Sequence, residues 1–201
     1  MYNLNDSNFD AKQGVVIFND GKAGVVENVS VSVYKKKPED KENAPDYKLV
    51  FKDANGAECA TSYWYVKQAT QYQTIEDQVR KQGIAMKHII HAIYGDDFDI
   101  PVNATTAEQL LDQSMKVIRD GLASHSGIKF RMFATYGTLN SVKNYIQPRS
   151  WVPFIESVTV PLSDTRLKVS PNVDAMERPV QDEVAVNTTA KADSIIDGDD
   201  W

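Results

Sequence analysis

The spacing of apolar residues changes along the chain, and each change marks an element. Over 14–34 it is two: in VVENVSVSVY, Val25, Glu27, Val29, Val31 and Val33 share one face, and Val26, Asn28, Ser30, Ser32 and Tyr34 the other. That pattern predicts a half-buried strand. A polar, proline-bearing loop follows, KKKPEDKENAP (35–45). Alternation resumes in DYKLVFKDANG, where Tyr47, Leu49 and Phe51 point one way and Lys48 and Lys52 the other. Asn55-Gly56 is a strong hairpin signal, because both residues tolerate the left-handed backbone of a tight turn. It predicts a third strand over 57–66, AECATSYWYV.

The period then becomes helical. Ile75, Val79, Ile84, Met86, Ile89, Ile90 and Ile93 predict a helix over about 74–94, with Gly83 as a point of interruption. Thr105 with Glu108 fits a capping box, and Leu110, Leu111, Met115, Ile118 and Leu122 predict a second helix. Alternation returns in GIKFRMFATYG, with Ile128, Phe130 and Met132 opposite Lys129, Arg131 and Phe133. A last strand is expected near 151–160, WVPFIESVTV, with a loop-like stretch before it. The order is therefore three strands, a helical insert, two strands. Five antiparallel strands with helices between the third and fourth is the order of an OB-fold, a small Greek-key barrel. The expectation is a mainly β protein: a five-stranded OB-fold barrel over 1–170 and an acidic, flexible tail over 171–201.

Charge sharpens that division. The chain has 201 residues, 42% of them hydrophobic, and a net charge of −6. Residues 174–201 carry eight acids against two bases, so the tail holds the whole net charge and residues 1–173 are balanced. Beyond Pro171 no apolar period persists, and the composition is that of a disordered segment. One cysteine, Cys59, excludes an internal disulfide and a cysteine-rich zinc site. No apolar run reaches the roughly 20 residues that span a bilayer. The N-terminus MYNLNDSNFD lacks a basic start and apolar centre. The expected location is the cytoplasm, with no membrane contact.

The chemistry points to binding. Single-strand binders combine a basic groove with aromatic rings on which bases stack. Tyr63, Trp64 and Tyr65 are consecutive on the third strand, so alternation sends at least one ring away from the core. Lys129, Arg131 and Phe133 form the second face of the fourth strand. Tyr34 leads into Lys35, Lys36 and Lys37, and NSVKNYIQPRSW carries Lys143, Tyr145, Arg149 and Trp151. The expected groove floor is Trp64, Lys129, Arg131 and Phe133, with Tyr63 and Tyr65 as the alternative stacking pair. The rims are Lys35, Lys36, Lys37, Tyr145, Arg149 and Trp151. Read singly, aromatics in strands are core and lysines are solvated surface; their interleaving is the signal.

Other motifs carry less. YGDD at 94–97 matches the metal motif of viral RNA-directed polymerases, but here it follows a helix and precedes a proline, as a helix exit would. His88 and His91 are three apart on a helix with no third ligand in view. His125 sits in ASHSG, without the strand-turn-helix setting of a serine nucleophile. No glycine-rich phosphate loop occurs. The expectation is a protein that is not an enzyme and takes no cofactor or metal.

The last residues, ADSIIDGDDW, place Trp201 behind Asp193, Asp197, Asp199 and Asp200. A tethered polyanion competes with nucleic acid for a basic groove. A terminal ring with a carboxylate is a compact recognition unit. In this tail and in its element order the sequence resembles the single-stranded DNA-binding proteins of bacteria and tailed phages, the phage type above all. That resemblance implies an OB-fold that coats single-stranded DNA without strong sequence preference during replication, recombination or repair. It also implies that Asp197, Asp199, Asp200 and Trp201 recruit replication proteins such as a polymerase, helicase or primase. The tail departs from the family in ending on Trp rather than Phe. RNA binding and a purely structural or adaptor role are the alternatives, and oligomeric state is left open.

Overall fold

The structure is a computed structural model and describes residues 17–179; Asp197, Asp199, Asp200 and Trp201 lie outside the described residues. The strands are β1 (Gly24–Lys35), β2 (Tyr47–Lys52), β3 (Glu58–Tyr63), β4 (Phe130–Thr138), β5 (Ser141–Pro148) and β6 (Ile155–Ser157). Two helices, α1 (Ile75–Tyr94) and α2 (Ala107–Ser124), stand between β3 and β4. All pairings are antiparallel, in the order β3-β2-β1-β4-β5, with β6 also on β4. The result is an open six-stranded sheet with two helices. The expected closed five-stranded barrel is not formed: β3 and β5 approach each other without a hydrogen-bonded ladder.

The alternation of β2 translates directly into burial. Tyr47, Leu49 and Phe51 are fully buried, each contributing about 1.5–3 kcal/mol relative to exposure. Asp53 shapes the turn that follows: its Oδ1 accepts from the amides of Asn55 and Ala57 at 2.9 Å, and Gly56 takes φ 84°. β1 departs from its predicted single face. Asn28 adopts φ 59°, and the pairing with β4 shifts register between Val26 and Val29. This bulge puts Val26 and Val29 inside together and turns Val25 and Glu27 outward.

α1 begins at Thr74, whose side chain accepts from the Asp77 amide, with Glu76 and Asp77 at the positive end of the helix dipole. Gly83 does not interrupt it. α2 is capped by Thr106, one residue later than predicted, with Gln109 reaching back to Thr105. A Cβ on Gly121 would lie 2.7 Å from the Tyr94 ring and 2.8 Å from Ile93, so a glycine there lets the two helices close. Met86, Ile89, Ile90 and Ile93 of α1 and Leu111, Met115 and Ile118 of α2 complete the core beneath the sheet.

β4 is the structural centre. Its first part is flanked by β1 on one edge and β6 on the other, and β5 follows β6 along that second edge. Beyond β1, Tyr136 and Leu139 donate to the carbonyls of Ala175 and Val173 at 2.8 and 2.9 Å, and Ala175 donates to Gly137. Residues 171–179, which composition assigns to the tail, therefore begin as part of the packed domain, with Asp174 and Ala175 buried. The stretch 141–148, read as a loop from sequence, is strand β5. Its alternation is weak because only Ile146 and Pro148 are buried.

Candidate nucleic-acid interface

The sequence-predicted site residues divide into an exposed group and a buried one. On β1–β2–β3 the inner row pairs Lys35 with Tyr47 and Tyr47 with Tyr63, and the next row outward pairs Tyr34 with Lys48 and Lys48 with Ser62. Tyr63 is buried, and burial pushes its phenol well above the usual tyrosine range. It is core, not a stacking platform. Trp64 follows on the outer side and is 51% exposed. Its carbonyl accepts from the Gln82 side-chain amide of α1 at 3.0 Å.

Tyr65 turns back toward α2. Its hydroxyl donates to Asp112 Oδ1 at 2.8 Å, as does that of Tyr47, and Lys35 Nζ lies 3.5 Å from the same oxygen. Tyr65 thus holds an anchor and is half-buried. Partial burial alone would raise the Asp112 carboxyl; the two tyrosine hydroxyls and Lys35 outweigh it and hold the group below the ordinary aspartate range. A depressed folded pKa stabilises the fold above the unfolded aspartate pKa, and that contribution disappears as pH falls through the folded value. Melting temperature followed from neutral pH into the acid range should therefore show a loss at acid pH that is smaller in Asp112→Asn. Parallel curves for the two proteins would refute the anchor.

Lys36 and Lys37 lie on the loop after β1. Lys37 pairs with Glu39 at 3.9 Å, and Lys36 Nζ donates to the Glu42 carbonyl. Asp40 organises the loop by accepting from the Lys37 amide at 2.7 Å and the Tyr34 hydroxyl; these two bonds hold its carboxyl below the ordinary range. Lys48, on the adjoining outer row, has no ion pair among the described residues. Lys52 pairs with Glu58 across β2–β3 at 3.1 Å. Tyr145, on β5, is 57% exposed and lines a cavity of about 300 Å³ with Glu58 and Arg178 at the β3–β5 seam. Trp64 and Tyr145 therefore bracket β3 from its two ends.

The second face of β4 corrects the expected groove floor. Arg131 is buried: its Nε donates to Glu27 at 2.7 Å, and Nη1 donates to Glu156 at 2.8 Å and to the Val160 carbonyl. Phe133 is buried under Arg149, whose guanidinium lies 3.7 Å from the Phe133 centroid and 4.2 Å from that of Trp151. Asp174 Oδ1 sits 3.6 Å from Arg149 Nε and accepts from the Trp151 indole at 3.1 Å. Burial lowers the Arg149 pKa, and Asp174 opposes that shift. Arg131, Phe133, Arg149 and the half-buried Trp151 are thus occupied in holding the chain after β5 over β4. Lys129 alone of the β4 set stays exposed, one residue before the strand begins.

The histidines do not converge on a metal. His88 Nε2 accepts from the amides of Phe154 and Ile155, and burial lowers the pKa of its ring. His91 Nδ1 faces the Gly95 carbonyl at 3.0 Å. Among the described residues no three His, Cys, Asp or Glu gather as a metal site, and no helix is long and apolar enough to cross a membrane. The sequence reading left out Lys48 and Lys52 as site residues, although their alternation with Tyr47 and Phe51 places them on the outer face. Comparison with known protein families, curated proteins and solved structures gives no match.

Proposed function

We propose that this protein binds single-stranded DNA without strong sequence preference, along the outer face of β1–β2–β3. The observation that carries the reading is the pair of exposed rings, Trp64 and Tyr145, at the two ends of β3, with Lys48, Lys36 and Lys37 beside the first. Rings on which any base stacks, next to ammonium groups that meet phosphates, bind single strands independently of sequence. The strand order supports the same reading: β3-β2-β1-β4-β5, with β5 approaching β3 and helices between β3 and β4, is the order of an OB-fold barrel left open at one seam. The binding face of such a barrel lies on its second and third strands, between the loops after the first and fourth.

The acidic tail fits as a tethered competitor and a recruiting segment for replication proteins through Asp197, Asp199, Asp200 and Trp201. Its root supports this: Arg178 shares a cavity with Tyr145, so the chain departs beside one end of the interface. An exposed apolar patch of Leu139, Val142, Val169 and Val173 around the β4–β5 turn favours, as a second reading, an adaptor that contacts proteins alone.

Titration of labelled oligo-dT, with oligo-rU as competitor, tests the proposal. Affinity should fall steeply as salt rises, since phosphate contacts release counterions. No binding by micromolar protein at low salt, with or without residues 193–201, would leave the adaptor reading. Preference for rU would move the ligand to RNA.

A further inference from the structure

The chain between β3 and α1 is unlike the other connections in what it displays. Thr70 closes a tight turn: its amide donates to the Gln73 carbonyl at 2.9 Å, and its Oγ1 accepts from the amides of Tyr72 and Gln73. At the tip of that turn Tyr72 is 85% exposed, the most exposed large apolar side chain among the described residues. A large ring held out by this turn is apolar surface left open, and no described residue covers it. The loop itself is fastened to α1. Gln82 holds the Trp64 carbonyl, and the Gln78 side chain reaches the carbonyls of Gln68, Gln73 and Thr74 at 3.1–3.4 Å. Trp64 and Tyr72 are therefore presented by one hydrogen-bonded unit.

The helix continues that unit with positive charge. At 100° per residue, Lys81 lies next to the Gln78–Gln82 edge, whereas Arg80 and Lys87 lie about 140–180° round the helix from it. All three are exposed, as is Lys67 in the loop, and none has an ion pair among the described residues. Of the remaining cations, Lys35, Lys37, Lys52, Lys116, Arg131, Arg149 and Arg166 each face a carboxylate within 4 Å. Lys67 and Lys81 thus bring unpaired positive charge to the segment that presents the two rings.

We infer that the loop before α1 and the first two turns of α1 form a second arm of the nucleic-acid interface, in which Tyr72 stacks on a base and Lys67 and Lys81 meet the phosphates of a single strand continuing past Trp64. This rests on the single-strand reading and adds a direction to it: the strand leaves the sheet at Trp64 and runs onto the helical insert. The bound stretch is then longer than β2 and β3 alone would cover.

Anisotropy titrations on the full chain test the inference, using oligo-dT of about 25 and about 8 nucleotides, a length within the usual span of one OB module. Tyr72→Ala should weaken binding of the longer oligomer about 5- to 100-fold, the range of one lost stacking contact, with Tyr72→Phe near wild type. Replacing Lys67 and Lys81 by glutamine should lower the slope of log affinity against log salt by about 1.4, at roughly 0.7 per phosphate contact on a single strand. Both effects should be small on the short oligomer. All variants should keep the wild-type melting temperature, since the residues are exposed. Wild-type binding with slope and affinity unchanged in both variants overturns the second arm and leaves the single-strand reading intact. A wild-type chain that binds neither oligomer overturns both.

Discussion

Arg131→Ala is expected to cost the fold about 3–5 kcal/mol, because the change strands a buried carboxylate. Glu156 is buried and receives Arg131 Nη1 at 2.8 Å, together with the Thr165 hydroxyl and the Arg166 amide. Without the guanidinium its charge has only neutral partners. Glu27 loses its partner as well, at lower cost, since it remains in contact with water. For a domain of this size the loss corresponds to a fall in melting temperature on the order of 10 °C. Lys129→Ala, two residues away and exposed, should change it by no more than about 1–2 °C, within the range of ordinary surface substitutions. Thermal melts of the two variants side by side decide the matter. An Arg131→Ala protein as stable as wild type would mean that the residue is not the internal tie described here, and would reopen its assignment to the groove.

Trp64→Ala should show the opposite profile, with about 1–3 kcal/mol lost in single-strand affinity and little lost in stability. The ring is outside the buried core, and the contact that fixes Trp64 in place runs through its backbone carbonyl. The measurement pairs an oligo-dT titration with a melt of the same sample. Were Trp64 a core residue, the melt would fall by about 3–5 kcal/mol of stability and the affinity of the folded fraction would hold. A variant unchanged in both would remove the ring from the interface and weaken the proposed function at its strongest point.

These expectations show where the sequence was readable. Tyr47, Leu49 and Phe51 announced their burial because the strand they occupy has one wet face. α1 and α2 were legible from their period, and the cap of α2 falls one residue from the predicted position. β1 was misread at its bulge, because the left-handed turn at Asn28 carries no glycine to mark it. β4 was misread more consequentially. Its alternation of Lys129, Arg131 and Phe133 against apolar residues looked like a strand with one solvated face. In the fold both faces are covered, and the groups that make this tolerable are remote in sequence: Glu27 lies 104 positions from Arg131 and Glu156 lies 25. Pattern within a strand cannot reveal such partners. The exposed half of the candidate site was easier, since Trp64 and Tyr145 need no distant partner to stay outside. Tyr72 went unnoticed because a lone ring in a polar run has no period; the Thr70 turn that presents it was the available clue.

The pairing of Val173 and Ala175 along β4 has a consequence for how the molecule is made. Synthesis is vectorial, and β4 emerges from the ribosome long before residues 173–175 do. Until they arrive, Tyr136, Gly137 and Leu139 keep an open edge, and Arg149 awaits its carboxylate, Asp174. The nascent chain can assemble its first sheet and both helices early, yet it seals the central strand only once residues 173–175 have emerged. Ahead of that moment the unsealed edge is a template for pairing with a neighbouring chain, and crowded polysomes are where that hazard would be greatest.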